Sequence, residues 1–259
     1  MREALDEVIA GQSERKPELL RNLAGGDIYA APSTESTQHA ARNTQVFSSA
    51  VVIQIVNIWE AHNAYLSHIH HAAITAMAAQ LMNTDLVRVW HDQVQYKPAN
   101  VGAMTGWHQD HPAWPIIEPA DLVTAWVALD DATIENGCMR MVPGSHRWGA
   151  RCLRTGDGFA PIAERAVTED ENVKIEPIEV PAGHCNFHHC LTWHGSPPNP
   201  SGKPRRAIAV HYMPGHTRYV PKGNHPMGVR VTVKPGEILA GEYFPVVYDR
   251  GPLAPVFGS

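Results

Sequence analysis

Charge is scarce in this chain. Asp, Glu, Lys and Arg make up 18% of its 259 residues, 21 basic side chains stand against 26 acidic ones, and the formal net charge is −5. That balance offers no basic footprint for nucleic acid and no polybasic patch for an anionic membrane surface, so neither partner is expected. No apolar run approaches the ~18 residues a membrane helix needs, and no basic segment leads into an apolar one as a secretory leader would. Cysteine is sparse too: Cys138, Cys152, Cys185 and Cys190 are too few and too irregular for a disulfide framework. Cys185 and Cys190 are read as residents of an apolar strand in preference to a zinc pair. These absences lead to the expectation of a cytoplasmic protein with a small-molecule partner; nothing in the sequence sets an oligomeric state.

Proline and glycine, in contrast, are plentiful, at 21 and 20 residues, and are spread along the chain without forming a linker. Residues 1–85 are expected to be mostly helical support. Leu5, Val8 and Ile9 have helical spacing, Pro32-Ser33-Thr34 breaks the pattern, and the alanine-rich stretch from Ile55 to Leu81 suits one or two helices lying on a sheet. From Leu86 onward, short β-rich segments recur between turn residues: Leu86–Tyr96, Leu122–Leu129, Met139–Val142, Val173–Val180, His184–Trp193 and Arg205–Met213. Such a succession predicts a mainly β protein with flanking helices, a double-stranded β-helix of the jelly-roll, cupin-like kind. One domain over 1–259 is expected, with the β-helix core at 86–215 and a C-terminal extension at 216–259.

Strand parity assigns faces. In Arg205–Met213 the odd positions hold Arg205, Ala207, Ala209 and His211, and the even ones Arg206, Ile208, Val210 and Tyr212. The even face is greasy enough to pack under helices, which leaves Arg206 as a surface or packing arginine. The odd face sets a guanidinium beside two small residues, the shape of a slot for an elongated anion. The odd face from Val87 to Lys97 likewise carries His91, Gln93, Gln95 and Lys97.

The chemistry concentrates in Trp107-His108-Gln109-Asp110, Trp193-His194-Gly195-Ser196 and Arg205. On a strand, residues i and i+2 share a face, so His108 and Asp110 can aim an imidazole and a carboxylate at one point. A second, distant histidine would complete the 2-His-1-carboxylate arrangement, which leaves one face of a metal open and is diagnostic of non-haem Fe(II) oxygenases. H-x-D alone is a weak signal in a chain with 16 histidines. His194 competes for the third place with His184, His188 and His189, of which His189 has the opposite parity. Arg205, eleven residues beyond His194, suits a carboxylate because guanidinium offers two parallel donors in one plane. Ser196, on the face of His194, can add a hydrogen bond.

The runs WHQDHPAW, LVTAWVALDDATIENGCMRMVPGSH and FHHCLTWHGSPPNPSGKPRRAIAVHYMP resemble, in order and spacing, the phytanoyl-CoA dioxygenase family of Fe(II)/2-oxoglutarate oxygenases. The resemblance spans residues 85–215. It implies His108, Asp110 and His194 as the iron ligands, and Arg205 with Ser196 as partners of the 2-oxoglutarate carboxylate. Gln93, Gln95 and Trp126 would line that cosubstrate's pocket, and His111, Trp114, Met104 and Thr105 lie where the family places substrate-facing segments. Fe(II), 2-oxoglutarate and dioxygen are then the expected cofactor and cosubstrates. The implied reaction decarboxylates 2-oxoglutarate to succinate and carbon dioxide while hydroxylating an unactivated C–H bond. Related halogenases keep a small residue where Asp110 stands, so the carboxylate argues for hydroxylation or desaturation. Two departures occur: Gly183-His184 replaces a usual Gly-Asp turn, and the family's opening strand and helix are not evident upstream. Two other readings stay open, a zinc-dependent hydrolase or isomerase on the same barrel and a non-catalytic small-molecule binder.

Overall fold

Alternating Val, Ile and aromatic positions make residues 86–97 and 205–214 poor helices and good strands, and the two segments pair along their whole length. The computed structural model describes residues 1–23, 51–150, 154–155, 158–159 and 173–251; Pro32-Ser33-Thr34 and Cys152 lie outside them. The chain begins with α1 (Arg2–Ile9), β1 (Leu19–Asn22), β2 (Ile53–Val56), α2 (Ile58–Ala61), α3 (Asn63–Ile69) and α4 (Ala72–Leu81). It continues through β3 (Leu86–Lys97), β4 (Thr105–His108), β5 (Ile117–Glu118), β6 (Val123–Ala128), β7 (Met139–Met141), β8 (Arg154–Thr155) and β9 (Gly158–Phe159). The last strands are β10 (Glu176–Ile178), β11 (Cys185–His189), β12 (His194–Ser196), β13 (Arg205–Pro214), β14 (Arg218–Tyr219) and β15 (Val246–Asp249).

A large sheet runs β1-β2-β3-β13-β6-β11, with β15 also paired to β3, and a smaller one runs β10-β7-β12-β4. Both are antiparallel, giving the expected jelly roll. One face of the large sheet is covered by the helices. Ile208, Val210 and Tyr212 of β13 join Ala125 and Val127 of β6 in a core with Ile58, Tyr65, Ile69 and Ala78. A fully buried Ile or Tyr of this kind stabilises by about 1.5–3 kcal/mol. α4 offers this sheet its Ile74, Thr75, Ala78 and Ala79 face, a helical i, i+4 stripe whose small residues let the helix lie close. No described helix is long and apolar enough to cross a membrane.

The other face looks into the barrel. Directly opposed residues of antiparallel strands share a face, so the register groups the interior into rungs. Lys97 faces Arg205; Gln95, Ala207 and Ala128 form the next rung; Gln93, Ala209, Trp126 and Asn186 the third; His91, His211, Thr124 and His188 the fourth. The register then slips between His211 and Tyr212, which faces Val89, so Trp90 is an extra residue. This β-bulge swaps the faces of β3. Val87 and Val89 join the helix-side core, whereas Trp90 enters an end cluster with Trp114, Met213 and Phe244. The odd-face assignment of β3 therefore holds from His91 to Lys97 and reverses before it.

Three expectations need correction. Residues 1–85 contain two strands, β1 and β2, which extend the large sheet beyond β3; Ile53–Val56 is only four residues long, too short for its pattern to separate a strand from the helix that follows. His184–Trp193 is not one strand: β11 belongs to the large sheet, β12 to the small one, and a turn closed by Thr192 N–H on the His189 carbonyl (2.8 Å) carries the chain across. The C-terminal extension also contributes to the large sheet through β15.

Candidate metal and cosubstrate site

β12 is held against β4 so closely that His194 lies directly opposite His108. The approach requires glycine at position 195, where a Cβ would stand 3.0 Å from the Thr105 carbonyl oxygen and 3.2 Å from the Trp107 nitrogen. Asp110 reaches the same point by another route than strand parity. β4 ends at His108, and Asp110 has helical φ and ψ of −71° and −50° at the head of a short 3₁₀ turn, His111–Ala113. Between them, Gln109 donates to the carbonyls of Gly149 (3.0 Å) and Leu191 (2.7 Å), tying the turn to the neighbouring segments. One ligand atom each of His108, Asp110 and His194 lies within 4.8 Å of the others, and this is the sole group of its kind among the described residues.

Both imidazoles are set in one tautomer. His108 Nδ1 is 2.8 Å from the Gly106 carbonyl and His194 Nδ1 is 2.9 Å from that of Thr192. A carbonyl only accepts, so each Nδ1 carries the proton and each Nε2 keeps its lone pair for a metal. Burial, reinforced by the His108 imidazole, pushes His194 down to about 3, which keeps it neutral as a ligand must be. Burial opposes ionisation of Asp110, but the His194, His108 and His188 rings around it outweigh that and hold the carboxyl well below its ordinary range. Two imidazole nitrogens and one carboxylate, with no fourth protein ligand among the described residues, fit a divalent metal with an open face.

The opposite pole of the barrel is cationic. Arg205 is fully buried, donates from Nη1 to the Gly137 carbonyl at 2.6 Å, and lies 5.5 Å from the centre of the Trp126 ring. Its Nε and Nη2 have no partner among the described residues. Burial lowers it to about 10. Beside it Lys97, equally buried, donates from Nζ to Ser196 Oγ (2.6 Å) and to the carbonyls of Ser196 (3.2 Å) and Pro197 (2.6 Å). Burial, with the Arg205 charge added, pushes that ammonium down to about 6. A buried charge without a counter-ion costs several kcal/mol, and Arg205 has none among the described residues, so this pole is suited to an anion. Ala207 and Ala209 leave room next to it on the same face, flanked by Gln93, Gln95 and Trp126. Gln93 Oε1 accepts from Gln54 Nε2 at 2.6 Å, which also brings β2 into the lining.

Arg206 faces the other way, in a fork with Asp130 through Nε (2.8 Å) and Nη2 (3.0 Å). The four substrate-side candidates scatter. Trp114 is buried in the end cluster, its ring 4.7 Å from His211; His111 Nε2 lies 3.1 Å from the Ile117 carbonyl; Met104 is half exposed; Thr105 pairs with Ser196. His189 stands apart from the triad, its ring 5.4 Å from that of His146. Sequence reasoning assigned no role to Lys97, Thr124, His188 or His211. The signal for Lys97, Thr124 and His211 was available in the parity of β3, β6 and β13; His188, on β11, is placed by its register with Thr124.

The sequence profile of the phytanoyl-CoA dioxygenase (PhyH) family matches residues 16–207. The chain is 33% identical over 123 residues to the phytanoyl-CoA dioxygenase domain-containing protein 1 of Bos taurus, covering 46% of this chain and 42% of that one. With the methylphosphonate hydroxylase of Gimesia maris it shares 32% over 124 residues, 48% of this chain and 44% of the relative. The chain spans about half the length of the curated relatives it matches, between 41% and 54%. Among solved structures, the non-heme alpha ketoglutarate dependent carbocyclase SnoK from nogalamycin biosynthesis superposes with a TM-score of 0.69 at 28% identity, over 95% of this chain and 85% of that one.

Proposed function

Because the chain belongs to the phytanoyl-CoA dioxygenase family, we propose that it is an Fe(II)- and 2-oxoglutarate-dependent oxygenase that hydroxylates a C–H bond of a small molecule, releasing succinate and carbon dioxide. The observation that carries this reading is the pairing of two poles in one barrel. A two-imidazole, one-carboxylate group stands at one end, and a buried guanidinium with two nitrogens that have no partner among the described residues stands at the other. A zinc hydrolase or a simple binding protein has no need of both. SnoK is likewise a non-heme, alpha ketoglutarate dependent enzyme, and the Gimesia maris relative is a hydroxylase.

Bound Fe(II) would supply activation of dioxygen, with 2-oxoglutarate as the two-electron reductant. His108 and His194 would hold the metal through Nε2 and Asp110 through one oxygen. Arg205 would grip the distal carboxylate of 2-oxoglutarate as a fork, with Ser196 donating its own proton because Lys97 already occupies its lone pair. Trp126, Gln93, Gln95 and the two alanines would set the width of the slot and exclude water from it, which sharpens every electrostatic contact inside.

Anaerobic titration with Fe(II) and 2-oxoglutarate should produce the weak visible charge-transfer band of a chelated keto acid, and turnover should release succinate. His108→Ala and His194→Ala should each abolish the band. A band that persists in both variants removes the ligand assignment.

A further inference from the structure

The fourth interior rung does more than fill space. Asp110 uses its two oxygens differently. Oδ1 lies 3.6 Å from Nε2 of both His108 and His194, so it closes the ligand triangle. Oδ2 points the other way, 3.3 Å from Thr124 Oγ1 and 3.4 Å from His188 Nε2. Thr124 Oγ1 in turn is 2.7 Å from His211 Nδ1. His188, Thr124 and His211 are direct cross-strand neighbours on β11, β6 and β13, so three adjacent strands deliver one group each to a single line.

We propose that the rung His188–Thr124–His211 is a positioning device that keeps the outer oxygen of Asp110 off the metal, so that the carboxylate offers one oxygen and the open face stays free for the keto acid. The inference rests on the proposed function.

The proton inventory gives the line a direction. A threonine hydroxyl has one proton, and an ionised carboxylate is the better acceptor for it. His211 must then donate from Nδ1 into the hydroxyl oxygen, which leaves its Nε2 bare. That nitrogen is among the buried atoms with no partner in the described residues. The ring cannot turn away easily: it is wedged edge-on against His91 at 4.5 Å and Trp114 at 4.7 Å. A valine at position 124 would fill the same volume, so packing alone gives no reason for the hydroxyl. Geometry at the metal supplies one. A carboxylate bound through both oxygens takes two coordination positions, which reduces the three left open by the triad to two and crowds out either the bidentate keto acid or dioxygen.

The test compares wild type with Thr124→Val and Thr124→Ser, anaerobically, by Fe(II) affinity and by the affinity and charge-transfer band of added 2-oxoglutarate. A hydrogen bond to a charged group is worth about a factor of ten or more. Thr124→Val should therefore keep Fe(II) affinity, weaken keto-acid chelation about tenfold and shift or diminish the band, and Thr124→Ser should restore both. His211→Phe, which keeps the ring and removes the donor, should move the band in the same direction. It serves as the second variant should Thr124→Val fail to fold. Wild-type band and affinity in Thr124→Val overturn the inference. So does a parallel loss of Fe(II) and keto-acid binding that serine fails to rescue, which marks a merely structural role. If wild type itself shows no band, the proposed function falls and the inference with it; a normal wild-type band with an indifferent Thr124→Val sinks the positioning role alone.

Discussion

Arg205 shows how two adjacent arginines divide their work. Arg206 is satisfied by Asp130 on the outside of the sheet, whereas Arg205 is buried with two donors that have no partner among the described residues. Loss of one partner from a buried charged pair costs about 2–5 kcal/mol, or roughly thirtyfold to several thousandfold in affinity. Arg205→Ala should thus raise the dissociation constant for 2-oxoglutarate by such a factor with Fe(II) binding nearly unchanged, as isothermal titration would measure. Arg205→Lys should recover only part, because an ammonium keeps the charge and lacks the fork. Arg206→Ala should affect the cosubstrate far less; the reverse order would mean that the interior face has been misassigned. At this scale the sequence was legible wherever period 2 held, since alternation alone separates Arg205 from Arg206. It misled at Asp110, which leaves the strand before it reaches the site. It was silent on the Thr124–His211 contact, which joins residues far apart in the chain and needs the register to be seen.

At the scale of elements, β3, β6 and β13 were readable because each is a long alternating or apolar run. β4, with Gly106 in its middle, and β12, three residues long, have almost no strand signal of their own. They are strands because their neighbours pair with them, and they hold two of the proposed ligands. Their closeness makes Gly195 a sensitive point. The three nearest obstacles to a Cβ there are all backbone atoms of β4, which cannot swing aside as a side chain would. Gly195→Ala should spread β12 from β4, at about 1–3 kcal/mol of stability, and should weaken Fe(II) binding more than 2-oxoglutarate recognition at Arg205. Denaturant midpoints together with an Fe(II) titration check this, and unchanged metal affinity would show that the strands tolerate the extra methyl.

The whole molecule stores many neutral imidazoles. His68, His211 and His225 are each pushed down to about 4, by burial above all. Unfolded, they would take up protons near 6.5, so between about 6.5 and 4 the unfolded chain binds more protons than the folded one. Stability must fall as pH falls through that window, by about 1.4 kcal/mol per pH unit for each histidine. Over that window three such groups remove up to about 10 kcal/mol, which is comparable with a typical margin of about 5–15 kcal/mol. Urea unfolding at pH 5, 6, 7 and 8 should show this slope in the metal-free protein. His225→Asn, which keeps an acceptor for the Met227 N–H now bonded to His225 Nδ1, should flatten it by one histidine's share. An unaltered slope would mean that His225 does not take up a proton on unfolding.

The place of β13 in the large sheet has a consequence for how the protein is made. It lies between β3 and β6, yet Arg205 leaves the ribosome about 110 residues after its neighbour Lys97. At on the order of 5–20 residues per second, β3 and β6 wait several seconds with the edges that will receive β13 unpaired. No barrel interior exists during that interval, because every rung needs a residue from the late strand. The nascent chain is therefore most open to wrong pairing while β3 and β6 are already out, and the site is assembled, all at once, by a strand that arrives after both.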